Sequence, residues 1–199
     1  MLLIELPEDI LFDLVGNYCD NTEIRRTRTN MRVAHDASVT YMGIRNRGAP
    51  SPTAASLSAT VIRSPNLKAI SIGGEEVEEV DAWRSEFSVG AAALRAMHGA
   101  GRADRLHDLV LYGPLDDTSV DVTDSLADAI RPFTGLRTFK SHDFLNPSAA
   151  RSMLAAVGGG VGFQMPHMTS LSLWSYDLSL SGPALLSALA RMPGLTEQF

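Results

Sequence analysis

The chain has 199 residues, of which 45% are hydrophobic, 20% charged and 7% aromatic, the proportions of an ordinary globular protein. A formal net charge of −6 and a pI of about 5.3 argue against non-specific nucleic-acid binding and against docking on an anionic membrane, because both need a basic face. A single cysteine, Cys19, excludes an internal disulfide, and His35, His98, His107, His142 and His167 lie too far apart for a metal-ligand spacing.

Three zones follow along the chain. Residues 1–48 are charged and carry a cluster of arginines, residues 49–56 ("APSPTAAS") read as a connector, and residues 57–199 carry a recurring pattern. The first zone opens with an amphipathic helix over "LPEDILFDLVGNY". Pro7 suits a first helical turn, where its missing N–H removes no hydrogen bond. Glu8 and Asp9 then face the positive end of the helix dipole. Ile10, Leu11, Leu14, Val15 and Tyr18 form one broad apolar stripe. "CDNTEI" supplies Asp20 and Asn21 as a break and a cap for a second helix. Ile24, Met31, Val33, Val39, Tyr41, Met42 and Ile44 suffice for a small core but leave apolar surface uncovered. Internal packing and an outside partner are both open as its cover. The opening run is too short and too acidic for a signal peptide, so a cytoplasmic or nuclear location is expected. No apolar window is long enough to span a bilayer.

The third zone repeats apolar-x-x-apolar-x-apolar. "LKAISI", "LHDLVL", "LRTFKS" and "MTSLSL" begin at residues 67, 106, 136 and 168, and "LTEQF" at 195 starts the same way before Gln198 takes an apolar slot. Upstream of each lies an alanine- and leucine-rich stretch with apolar residues three and four apart, such as Leu126, Ala129 and Ile130, or Met153, Leu154 and Val157. These stretches stop at Gly99, Pro132, Gly158 and Pro193. The unit is therefore helix, turn, short strand and loop. Alternation in each strand sends its leucines to one face. One strand and one helix cannot bury that face alone, so stacked units are expected, with parallel strands inside and helices outside. A two-layer α/β domain with unrelated strands is the alternative.

The phrases "PNLKAISI", "DRLHDLVL", "TGLRTFKS" and "PHMTSLSLW" resemble leucine-rich repeats of the ribonuclease-inhibitor-like subtype. That resemblance covers about residues 57–199 and implies an α/β solenoid of four to five irregular units, ending early in a fifth strand. The opening resembles an F-box, the helical module that binds a Skp-type adaptor in cullin ubiquitin ligases. Leu6, Pro7, Asp9, Ile10, Leu11, Leu14, Val15 and Tyr18 carry it, while "RRTRTNMRVA" is polar and basic where that family places leucines. The resemblance implies a small all-α module over 1–48, with Leu6, Pro7, Ile10, Leu11, Leu14, Val15 and Tyr18 on the adaptor.

No catalytic constellation stands out. "VGGGVG" at 157–162 follows a helix and lacks a lysine, so it reads as a helix stop rather than a phosphate loop. "EEVEEVD" at 75–81 lacks the spacing of a calcium loop and reads as a solvated insertion, anchored by Trp83 and Phe87. Cys19 has no histidine nearby in sequence and reads as a half-buried small residue.

The expected site is a surface, the concave sheet face that bears the residues alternating with the buried leucines. These are Ala69, Ser71 and Gly73, then Asp108, Val110 and Tyr112, then Thr138, Lys140 and His142, then Ser170, Ser172 and Trp174. Tyr112, Lys140, His142, Ser172 and Trp174 are the candidate substrate contacts, since aromatic residues on an open sheet suit protein binding. The resemblances together imply a non-enzymatic substrate-recognition subunit of a Skp–cullin–F-box ligase, without cofactor or metal, partnered by the adaptor and a protein substrate. The alternative is a repeat scaffold whose N-terminal helices only cap the array.

Overall fold

The computed structural model describes residue 33 and residues 36–44, 53–74, 80–112, 120–142, 147–157, 165–173 and 178–198. The segment with Leu6, Pro7, Ile10, Leu11, Leu14, Val15 and Tyr18 lies outside the described residues, as do Cys19 and Trp174.

Among the described residues six strands form one sheet in chain order: β1 (Tyr41–Ile44), β2 (Ala69–Ile72), β3 (Asp108–Leu111), β4 (Thr138–Ser141), β5 (Ser170–Leu173) and β6 (Glu197–Gln198). Every neighbouring pair is parallel. Parallel neighbours need a long crossover, and a helix supplies each one. These are α1 (Ala54–Arg63), α2 (Val80–Gly99), α3 (Val120–Ile130), α4 (Pro147–Val157) and α5 (Leu178–Leu189). Each helix packs on the next, from α1 through to α5. The chain is thus an α/β fold in which an all-parallel sheet alternates with helices.

The core lies between the helix layer and one sheet face. The pairing register sets Ile70, Leu109, Phe139 and Leu171 side by side, and Ile72, Leu111, Ser141 and Leu173 beside them. Before β2, β3, β4 and β5 respectively, Leu67, Leu106, Leu136 and Met168 are fully enclosed. Burying a side chain of this size contributes about 1.5–3 kcal/mol, so each hexamer supplies several such terms while its alternate residues stay on the other face.

The lead-in to the strand is also reproduced. The N–H of Leu67 donates to the Ser64 carbonyl at 3.3 Å, that of Leu136 to Phe133 at 3.3 Å, that of Met168 to Met165 at 3.2 Å and that of Leu195 to Met192 at 3.1 Å. Ahead of β3 the same place holds a short 3-10 turn, Ala103–Arg105. Successive turns press together: a Cβ at Gly135 would fall 2.7 Å from the Asp104 carbonyl oxygen, so only glycine allows this approach.

Four expectations need correction. Residues 1–48 are not all helical, because Tyr41–Ile44 is the first strand of the sheet, in register with Ala69–Ile72. "VTYMGI" has the apolar-x-x-apolar-x-apolar form too. Val39 packs on the core while Met42 and Ile44 are buried within it. The connector 49–56 ends inside α1: Thr53 is its N-cap, its hydroxyl accepting from the Ser56 N–H at 3.2 Å, and Ala54 begins the helix. The insertion expected at 75–81 runs into helix, since α2 begins at Val80, and Phe87 is a core residue of that helix rather than an anchor on a solvated loop. Finally, Gln198 does not prevent a last strand, as Leu171 pairs with it in β6. Helix α5 begins at Leu178 and holds Pro183 inside it.

Candidate binding face

The sheet face turned away from the helices carries the alternating residues. The register runs Tyr41, Ala69, Asp108, Thr138, Ser170 and Glu197 in one column, and Gly43, Ser71, Val110, Lys140 and Ser172 in the next. A third column follows the strand ends. Gly73 N–H donates to the Ile44 carbonyl at 2.9 Å, Tyr112 N–H to Ile72 at 2.8 Å and His142 N–H to Leu111 at 2.9 Å. Parallel neighbours lie about 4.8 Å apart, so side chains of one column can touch.

Tyr112 and His142 do touch. Their rings stack with centroids 4.8 Å apart and planes 18° from parallel. Both rings are half-buried, and Lys140, two residues before His142 on the same face, is exposed. Ser172 lies beside Lys140 in register and is half-buried. Four of the five residues expected to bind substrate therefore share one patch.

Toward β1 the face changes character. Tyr41 is 54% exposed and its hydroxyl meets Ser71 Oγ at 2.5 Å. A Cβ at Gly43 would sit 3.4 Å from that Ser71 oxygen and 3.6 Å from the Tyr41 hydroxyl, so the tyrosine lies across the bare glycine. Tyr41 was not among the expected contacts. Its signal was the hexamer form of "VTYMGI", whose third position matches Ala69 of the next unit.

A second feature lies at the opposite end of the strands. The second position of successive hexamers is Lys68, His107, Arg137, Thr169 and Thr196. Backbone bonds join these residues in a row: His107 N–H donates to the Lys68 carbonyl at 2.8 Å, Arg137 to His107 at 2.7 Å, Thr169 to Arg137 at 2.8 Å and Thr196 to Thr169 at 3.0 Å. Three of the five are cationic or titrate to a cation, and they are neighbours. Partial burial and the Arg137 charge push the His107 imidazole below its ordinary value of 6.5. Asp108 opposes that shift, Lys68 adds to it and Asp104 opposes it more weakly. The sequence offered the signal as "LK", "LH" and "LR" at one place in consecutive units.

Among the described residues no group of three histidine, cysteine, aspartate or glutamate side chains is placed to hold a metal, and no helix is long and apolar enough to cross a membrane. Comparisons with protein-family models, with curated proteins and with solved structures find no match.

Proposed function

We propose that the chain is a leucine-rich-repeat solenoid that works by holding another protein on its open sheet face, without chemistry of its own. The observation that carries this reading is the stacked Tyr112–His142 pair, flanked by Lys140 and Ser172, on a face whose opposite side is packed by helices. Paired rings with a nearby cation give contact area at low entropic cost, and hot spots favour such groups. The solenoid reading is supported by the recurrence of one turn at the start of units and by strands that pair strictly in chain order.

The opening "LPEDIL" supports a more specific role. In this reading Leu6, Pro7, Ile10, Leu11, Leu14, Val15 and Tyr18 dock a Skp-type adaptor, and the repeats bring a substrate to the transferring enzyme by proximity. The strand at Tyr41–Ile44 limits such a module to the residues before it. The test is a pull-down of a purified Skp-type adaptor by the full chain, compared with Leu14→Asp. Capture by the wild type alone supports the ligase role. No capture by the wild type leaves the scaffold reading, and equal capture by both refutes the assigned docking stripe.

A further inference from the structure

The row at the strand starts has a chemistry that the open face does not share. Lys68, His107 and Arg137 occupy equivalent positions on three adjacent units, within two strand spacings, about 10 Å. Lys68 and Arg137 are exposed and His107 half-buried between them. Among the described residues the Lys68 and Arg137 side chains make no ion pair or hydrogen bond. The arginines just upstream differ. Arg102 donates to the Val61 carbonyl at 3.4 Å and Arg105 to the Pro65 carbonyl at 2.9 Å, so both are engaged in holding turns together. Two exposed cations that no side chain pairs thus flank one imidazole, in a chain of net charge −6.

We propose that Lys68, His107 and Arg137 form a binding site for a phosphate group. A phosphate carries between one and two negative charges near neutrality and three acceptor oxygens. The Arg137 guanidinium offers a planar fork for two of those oxygens, and Lys68 a movable point charge from the other side. His107, in the middle, is the group that senses occupancy. The charged groups around it are Lys68, Arg137, Asp104 and Asp108. Arg137 and Lys68 disfavour the imidazolium, while Asp108 and Asp104 favour it. A bound dianion adds negative charge beside the ring and favours the imidazolium, which then donates to it. The group can come from free phosphate or from a phosphorylated side chain of a partner.

The test is an NMR titration of the His107 ring in the full-length chain, at constant ionic strength, with sodium chloride, inorganic phosphate, a phosphoserine peptide or the same peptide unphosphorylated. Phosphate is expected to raise the His107 pKa by about 0.5–1 unit, as a nearby opposite charge does on a solvent-accessible group. Chloride leaves it in place. Arg137→Gln alone raises the pKa, because a repelling charge is gone, and then removes the response to phosphate; Lys68→Gln weakens that response. A shift from the phosphopeptide at lower concentration than from inorganic phosphate identifies a partner's phosphorylated residue as the source, and the reverse order identifies the free ion. A His107 that responds to phosphate no more than to chloride overturns the proposal. So does a response that survives in Arg137→Gln.

Discussion

Gly73 places its α-carbon against the backbone carbonyl of Tyr112, so closely that a Cβ would overlap the oxygen. Its φ of +87° adds a second demand for glycine. The two residues belong to neighbouring units of one column, and Tyr112 carries the ring that stacks on His142. Gly73→Ala therefore meets a backbone atom that has no rotamer to yield. The left-handed conformation alone costs about 1–2 kcal/mol for a residue with a Cβ, and separating the strand ends adds to it. Urea unfolding is expected to show a lowered midpoint, and the Tyr112 and His142 ring resonances should shift together. An unchanged midpoint would contradict the close approach.

Asp36 joins the chain before β1 to the end of α1. Arg63 Nε lies 3.0 Å from Asp36 Oδ2, and the Asp36 side chain is 9% exposed. Arg63 is 40% exposed, so water screens its half of the pair. Arg63→Ala leaves a nearly buried carboxylate with one donor fewer, at an expected cost of about 1–2 kcal/mol. Arg63→Lys keeps the charge but not the fixed Nε–H donor, and should fall between the two in chemical denaturation. Equal stability of all three proteins would show that the pair contributes nothing.

The parts of the fold that rest on period and burial were readable in advance. Leu67, Ile70 and Ile72, then Leu106, Leu109 and Leu111, gave strand positions and the buried face, because an alternating pattern admits only one orientation. The first strand is hidden in the sequence, because "VTYMGI" opens on Val39 rather than leucine and sits in a zone that resembles a helical module. The start of α2 at Val80 is hidden too, because it falls within "EEVEEVD", whose acidic composition is that of a solvated loop. Composition does not separate an exposed loop from the first turns of a helix with one buried face. On the open face, alternation puts Tyr112, Lys140, His142 and Ser172 on one side, and in the structure Lys140 neighbours Ser172 and the Tyr112 ring stacks on His142. The stacking of two rings, the Tyr41–Ser71 contact and the cationic row depend on register between units, which a single unit does not display.

Phe87 distinguishes the two accounts of that region. It is fully buried in α2 and belongs to the cluster formed with the sheet. If it only anchored a surface insertion, truncation would be mild. As a core residue, Phe87→Ala should lower stability by about 3–5 kcal/mol, combining lost transfer energy with the cavity left behind. Phe87→Leu should recover much of that loss. The check is the denaturation midpoint at an unchanged slope, with a loss under about 1 kcal/mol counting against the core placement.

Stability should also depend on His107 in a definite direction. Burial and Arg137 hold its folded-state pKa below the ordinary value of 6.5, with Lys68 adding to them and Asp108 and Asp104 opposing. As pH falls through 6.5 the unfolded chain takes up a proton before the folded one, and the equilibrium moves toward unfolding. The contribution is whole above 6.5 and is lost as pH drops from there to the lower folded-state value, below which both states carry the proton. His107→Gln removes the titration. Wild type and variant should therefore differ by a fixed amount well above pH 6.5, with the wild type losing ground as pH falls below it. Arg137→Gln should reduce the same slope by removing the repelling charge while leaving burial in place. Thermal or urea unfolding at half-unit pH steps measures all three. A wild-type-minus-variant difference that stays constant across that window would show that His107 has the same proton affinity folded and unfolded.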